Sequence, residues 1–468
     1  MAERPRPPGP PNRLGLGNLR GMMRDQLAYM TAAAEYGPVV NLPILFERYV
    51  LVRDPDLIQR SLTQGPTVMR KDRFTHELER VLGRGLVTSE GELWRKQRKL
   101  VAHAFIPRRI RTYADSMVAA AHRSLEGWSD GQELVIHKAM AELTLDVVGR
   151  TLFDANVRDT AVEVGEALHV ISGFYTDVLE SPIQPPKWWP SRRMRNFRTA
   201  VRNVDRIVGE IIEDRRRTGE DRGDLLSALL EAQDEDGGGM SNQQLRDECV
   251  TLFLAGHETT SIALANTFYL LSLHPEIETR VHEEAASVLG SRLATHEDYD
   301  RLEYTQRVIK ESMRLYPPVY TIGRELIEDF ELGGYTFEKG MTLLFSQWVT
   351  HRRPECFADP LRFDPDRWLP ERASSIHKYA YFPFGGGPRI CIGNHFAMLE
   401  AVLVLASLIR AHRFELLPEQ TLELQPAVTL RAKNDLRMRL CRRDVSQLGE
   451  RHASSKSLQN SRSADGSS

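Results

Sequence analysis

One cysteine is set up for chemistry by its neighbours. Cys391 lies in the run Phe384-Gly-Gly-Gly-Pro-Arg-Ile-Cys-Ile-Gly393, with a helical pattern beginning near Ile392. Glycines let the backbone approach a flat ligand closely, because no side chain holds it off. A thiolate at the start of a helix is favoured by the helix dipole, which lowers the thiol pKa. Arg389 is placed to pair with an acidic group on the same ligand. A polarised thiolate, room for a flat macrocycle and an anion clamp together describe an axial ligand to haem iron. A lone cysteine is otherwise a small buried hydrophobe, and the surrounding decapeptide sets this one apart.

Three further groupings bear on chemistry. Gly256 sits inside the helical pattern Ala255-Gly-His-Glu-Thr-Thr260, where glycine costs about 1 kcal/mol relative to alanine. A close helix crossing would offset that cost. So would a local gap in which the Thr259 hydroxyl bonds a water or a bound oxygen, with Glu258 beside it. Glu311-Ser-Met-Arg314 puts a carboxylate and a guanidinium one turn apart. Taken alone, that is a solvated pair worth under about 1 kcal/mol. Trp94-Arg-Lys-Gln-Arg98 sets an aromatic and a cation at i and i+4, which also suits an ordinary amphipathic helix with a basic face.

Phe384, Gly387, Arg389, Cys391 and Gly393 fill every fixed position of Phe-x-x-Gly-x-Arg-x-Cys-x-Gly, which is similar to the signature of the cytochrome P450 superfamily. The other three groupings resemble further family motifs, in the expected order. The resemblance implies haem b as cofactor, with Cys391 as the iron ligand and Phe384, Gly387, Arg389 and Gly393 around it. It makes Thr259 the proton-delivering hydroxyl and Glu258 the acid behind it. It assigns Trp94, Arg98 and Arg324 to the haem propionates. The family often has a histidine where Gln97 stands, so one propionate donor is missing here. The Glu311–Arg314 pair should be buried and completed by Arg367 in Phe363-Asp-Pro-Asp-Arg-Trp368, locking a coil beneath the haem.

The activity so implied is a monooxygenase. A thiolate ligand favours O–O cleavage, and cleavage needs protons at the distal oxygen. The expected reaction is hydroxylation or epoxidation, with O2, of a lipophilic small molecule: a fatty acid, a terpenoid or a polyketide-like compound. The chain carries no nicotinamide or flavin fingerprint. Electrons should therefore come from a ferredoxin or flavodoxin-type donor with its reductase. Seven basic residues and no acid lie between Arg95 and Arg111, a candidate docking patch for an acidic partner of that kind. The resemblance makes Phe74, Leu78, Leu82, Leu86 and Val87 apolar candidates for the substrate pocket, with Phe174 and Tyr175 near the family's mobile lid. Val319, Tyr320, Ile322, Val428 and Leu430 complete that set. A peroxide-driven peroxygenase is the alternative enzyme, disfavoured by the retained Glu258-Thr259. A haem-based gas sensor is the non-enzymatic alternative, disfavoured by the lack of an output domain.

These residues need a large scaffold. The 468 residues suggest several domains by length alone, but the resemblance implies one mainly α unit with small β-sheets over 13–442. A proline-rich extended lead-in precedes it at 1–12, and a serine-rich disordered tail follows at 443–468. Short apolar runs at Val39-Val-Asn-Leu-Pro-Ile-Leu45 and Tyr49-Val-Leu-Val52 suit a small sheet, as do 330–332 and 342–346. Ser241 and Gln244 form a capping-box pattern that opens a helix to about Leu273. Another helix spans about 302–316 and stops at Pro317-Pro318, and a third runs from Cys391 to about Ala411. The proline-rich break at 181–190 falls where the resembled family has its lid.

The composition is that of an ordinary globular protein: 41% hydrophobic, 27% charged. A net charge of −2 argues against nucleic-acid binding. Four cysteines without paired spacing show no disulfide framework, so a reducing cytoplasm is expected. No signal peptide and no transmembrane anchor are expected either.

Overall fold

The structure is a computed structural model, and it describes residues 5–11, 16–45, 47–153, 167, 170–171, 173–175, 191–233 and 237–443. The proline-rich break at 181–190 and the serine-rich tail from 444 onward lie outside the described residues. Helices dominate. The longer ones are α1 (Leu16–Arg24), α2 (Gln26–Ala34), α3 (Pro55–Gln64), α4 (Gly91–Ala102), α5 (Pro107–Gly127) and α6 (Ile136–Phe153). They continue as α7 (Arg192–Thr218), α8 (Leu225–Glu231), α9 (Asn242–Leu273), α10 (Pro275–Leu289), α11 (Glu303–Leu315) and α12 (Asn394–Ala411).

Local chemistry sets the ends of these helices. The Ser241 hydroxyl accepts from the Gln244 N–H to open α9, and no return bond from the Ser241 N–H to the Gln244 side chain accompanies it. Only half of the expected capping box forms. Asp54 caps α3 through the N–H groups of Asp56 and Leu57, with Pro55 preset at the first position. The apolar runs near the N-terminus form strands: β1 (Val39–Ile44) and β2 (Glu47–Val52) pair antiparallel, with Val39 opposite Val52. The lead-in runs beside them, the Asn41 N–H donating to the Pro8 carbonyl at 2.8 Å.

β1 and β2 continue through β8 (Thr342–Phe345) and β5 (Ile322–Leu326) to β3 (Met69–Lys71) in a five-stranded sheet of order β1-β2-β8-β5-β3. β2 and β8 are parallel, and the other neighbours are antiparallel. Three smaller sheets use β4 (Glu133–Val135), β9 (His412–Leu416) and β12 (Arg437–Arg442), then β6 (Phe330–Leu332) with β7 (Tyr335–Phe337), and β10 (Leu424–Pro426) with β11 (Leu430–Ala432).

The main core gathers around α9 and α12. From Val402 to Ile409 every apolar side chain of α12 is buried. Among the described residues this is the one helix long and apolar enough to cross a membrane, and 72% of it is buried inside the protein. It is a core helix. α6 packs along α9, and Gly256 marks the crossing: a Cβ there would meet Val148 Cγ2 at 3.3 Å.

The coil 353–388 is fastened to α11 from within. Glu311 and Arg314 are fully buried and bidentate, at 2.9 and 2.8 Å. Arg314 also donates to the carbonyls of His351, Pro360 and Arg362. Arg367 Nε reaches Glu311 Oε1 at 3.3 Å, and Trp368 Nε1 donates to Oε2 at 2.9 Å. Spacing alone read this pair as a solvated surface feature; the resemblance read it as buried, and buried it is.

Candidate active site

Cys391, the middle of α9, β3, β5 and the β10–β11 loop line one cavity of about 1980 Å³. Its wall is mostly apolar, which suits a lipophilic occupant. Cys391 is positioned by its backbone: its N–H donates to the Phe384 carbonyl at 2.9 Å, closing the 384–391 loop. Arg98 Nη1 donates to the adjoining Ile390 carbonyl at 2.8 Å. The sulfur is reachable from the cavity while protein packs its other sides. That packing pushes the free thiol's pKa up, against the Gly393 N–H and the Arg98 charge, which pull it down. The expected lowering is thus outweighed. Helix α12 starts only at Asn394, and a helix terminus acts over little more than one turn.

The glycine run divides into two tasks. Gly385 and Gly393 line the cavity, and so does Phe384. Gly387 does not. It has φ +66°, and a Cβ there would fall 1.9 Å from the Leu62 carbonyl oxygen. It is required by the close approach of α3, where it forms a turn against protein outside the cavity lining. Gly386 likewise abuts Tyr379.

Cations crowd the same part of the cavity. Lys71, Arg98, Arg324 and Arg389 all line it, together with Trp94. The Arg389 guanidinium lies over the Trp94 ring, 4.0 Å from its centroid, donates to the Ser89 carbonyl at 2.8 Å and is ion-paired with Glu90. Burial holds Arg389 down to about 10 despite Glu90, and Arg324 and Arg98 push the same way. Lys71 falls well below the lysine range, from burial first and then from the charges of Arg324 and Arg389. Arg324 is lowered too, chiefly by burial. Four crowded cations whose charged forms are disfavoured suit an anionic ligand. A thiol donor beside such a cluster, facing a shared cavity, fits a haem with its two carboxylate arms.

Thr259 and Glu258 are adjacent in sequence but part company in space. Thr259 lines the cavity, its hydroxyl donating to the Ala255 carbonyl at 2.7 Å. Its oxygen keeps lone pairs to accept a further hydrogen bond. Glu258 is not part of the lining. Its Oε1 accepts from Thr429 Oγ1 and Arg431 Nε, tying α9 to β11. Gly256 serves both of its expected uses, lining the cavity and admitting α6 at the crossing. One α9 carbonyl, that of His257, takes a hydrogen bond from Thr144 of α6 at 3.1 Å.

Among the substrate candidates, Phe74, Leu78, Leu86, Val87, Val319, Tyr320, Ile322 and Val428 line the cavity. Leu82, Phe174, Tyr175 and Leu430 do not. Phe174 stacks on Phe197 at 4.1 Å and the Tyr175 hydroxyl donates to the Glu77 carbonyl, so both are committed to packing. Leu82 and Leu430 are buried in core clusters. Sequence reasoning missed Lys71, a lysine on a three-residue strand with no spacing signal, and Glu90, which meets Arg389 across 299 residues.

The chain matches the Cytochrome P450 family model over residues 7–437. It is 36% identical over 410 residues to the cyclooctat-9-en-7-ol 5-monooxygenase of Streptomyces melanosporofaciens, covering 87% of this chain and 89% of the relative. It is 32% identical over 434 residues to the pentalenene oxygenase of Streptomyces avermitilis, covering 92% and 96%. Among solved structures it is similar to retinoic-acid-bound cyanobacterial CYP120A1, with a TM-score of 0.83 at 28% identity over 94% of this chain and all of that one. The cytochrome P450DA heme domain gives a TM-score of 0.86 at 26% identity over 95% and 98%. The thiol-and-cation cavity under a long glycine-notched helix therefore sits in a chain that belongs to the cytochrome P450 family, an oxygen-inserting oxidoreductase with haem b as its cofactor.

Proposed function

We propose that the protein hydroxylates or epoxidises a terpenoid, with Cys391 as the iron ligand. The observation that carries this reading is the single apolar-walled cavity shared by the Cys391 thiol and the Thr259 hydroxyl. The terpenoid class is supported by the two Streptomyces relatives, a cyclooctat-9-en-7-ol 5-monooxygenase and a pentalenene oxygenase. Arg98, Arg324, Arg389 and Lys71 hold the carboxylate arms of the haem, with Trp94 stacked under Arg389. Phe384 and Gly393 border the iron ligand. Bound haem supplies the activation of O2.

The chain's own residues bind, orient and move protons. Leu86, Val87, Val319 and Ile322 exclude bulk water from the chamber and place the substrate by shape. Thr259 passes its proton on while its Oγ1 accepts another from water, the Ala255 carbonyl fixing the hydroxyl between turns. Glu258, whose carboxyl lies outside the cavity lining and is held by Thr429 and Arg431, is the acid that replenishes that water. Electrons come from a separate ferredoxin or flavodoxin-type donor and its reductase. The exposed Arg95, Lys96, Lys99, Arg108 and Arg111 present the matching basic face for docking. Four unpaired cysteines suit a reducing cytoplasm as the place of work.

The test is turnover. Purified holoenzyme, supplied with a ferredoxin, its reductase and a panel of cyclic terpene hydrocarbons and alcohols, should yield oxygenated products by mass spectrometry. Oxidation of fatty acids with no terpenoid product would overturn the substrate class.

A further inference from the structure

We propose that Glu248 is a positioning residue that fastens the cavity-wall segment 83–88 to α9 and thereby sets which lipophilic molecules the cavity accepts. This deepens the reading of the cavity as the substrate chamber and rests on it.

Segment 83–88 has no helix or strand of its own beyond turns, yet Leu86 and Val87 form part of the cavity wall. Something else must hold it, and α9 does. The segment is pressed onto that helix so closely that two glycines are obligatory. A Cβ on Gly83 (φ +55°) would fall 2.1 Å from Asp247 Oδ1; one on Gly85 would fall 2.2 Å from Thr251 Oγ1 and 2.7 Å from the Asp247 carbonyl oxygen.

Two backbone amides then reach across. The Arg84 N–H donates to Asp247 Oδ2 at 2.8 Å, and the Leu86 N–H donates to Glu248 Oε2 at 3.0 Å.

The two carboxylates are not equivalent. Asp247 is shared, because Oδ1 also takes Gln243 and Arg246 at 2.9 Å each. Glu248 is fully buried, and the Leu86 N–H is its one hydrogen-bond donor among the described residues; Oε1 has none. A buried acid with one donor is costly unless that bond is needed, since burying an unmatched polar group costs free energy. Burial pushes its pKa up to about 8, with the neighbouring Asp247 adding to the effect. Glu248 does not line the cavity. Thr251 and Leu252, one turn further along α9, do, and so do Gly256 and Thr259 beyond them. One helix thus grips the wall at Leu86 and carries the reactive notch further along.

Two variants separate position from chemistry. Glu248→Leu removes the acceptor, and Glu248→Gln keeps one. In holoenzyme, hydrogen exchange of the Leu86 amide should speed up by about tenfold or more in Glu248→Leu, the scale of one lost buried hydrogen bond. It should stay near wild type in Glu248→Gln. The ratio of dissociation constants for 1-phenylimidazole and clotrimazole, a small and a large lipophilic azole, should shift by roughly fivefold or more in Glu248→Leu and be restored in Glu248→Gln. Gly85→Ala, which lifts the segment off Thr251 without altering Glu248, should move both measurements the same way and covers a failure of Glu248→Leu to fold. Unchanged Leu86 exchange in both Glu248→Leu and Gly85→Ala would overturn the proposal. So would faster exchange with an unchanged azole ratio. Neither readout needs a terpenoid, so the outcome stands apart from that of the turnover test.

Discussion

Cys391 and Thr259 make separable demands. Cys391→Ala should abolish the reduced, carbon-monoxide-bound absorption typical of a thiolate haem, measured on reconstituted protein. Thr259→Ala should keep haem and that spectrum, yet cut product formed per electron by roughly 100-fold, the low end of what a positioned proton donor contributes. The measurement is product against reductant consumed. Lys71→Met should weaken haem retention by about tenfold, the scale of one charge-assisted hydrogen bond, followed by haem transfer to apomyoglobin. These side chains differed in how visible they were beforehand. Cys391, Arg389 and Phe384 stand out because rare residue types fall at fixed intervals. Lys71 does not, because its meaning lies in Arg324 and Arg389, 253 and 318 positions away along the chain. Gly387 was legible as an obligatory glycine, but whether it faced a ligand or α3 depended on a tertiary contact with Leu62.

Helix α9 was readable almost to the residue, since Ser241 opens it and the apolar pattern lasts to Leu273. What no pattern revealed is its acidic shoulder. Glu248 in a long apolar helix looks like a solvated position, and burial, with Asp247 beside it, raises its pKa to about 8. A glutamate raised in the folded state takes stability away as pH climbs from its unfolded value toward that raised one, because the unfolded chain releases the proton first. Unfolding free energy should therefore fall between about pH 4.5 and pH 8 by an amount on the order of a few kcal/mol attributable to this group. Glu248→Gln should flatten that portion of the profile in denaturant titrations at several pH values. A second short segment, β10–β11, was found only as apolar residues near the end of the chain. Its hold on α9 through Thr429, Arg431 and Glu258 joins residues 171 and 173 positions apart, beyond any local spacing rule.

At the scale of the whole molecule, a buried ionic knot ties coil to helix. Arg314→Ala would take from Glu311 its bidentate partner, leaving Arg367 and Trp368 to hold it, and would remove the donor from the carbonyls of His351, Pro360 and Arg362, at a cost of about 3–5 kcal/mol. Expected results are a matching drop in the urea midpoint and little haem-loaded protein, by the ratio of Soret to protein absorbance. The class of fold was clear from the sequence only through its motifs, since the 468 residues alone suggested several domains. α12 shows why composition is a weak guide to surroundings: the same apolar run fits a bilayer or a core, and packing decides.

The chamber wall is assembled from stretches far apart in the chain, at 74–87, 251–263, 318–324 and 424–428, whereas the thiol loop is anchored through Phe384, Leu62 and Tyr379. Appetite and combustion are therefore drawn largely from different parts of the polypeptide, meeting at Thr259 and Arg324. Exchanging the other side chains of the first group should retune what is admitted, one patch at a time, while the furnace itself goes on burning.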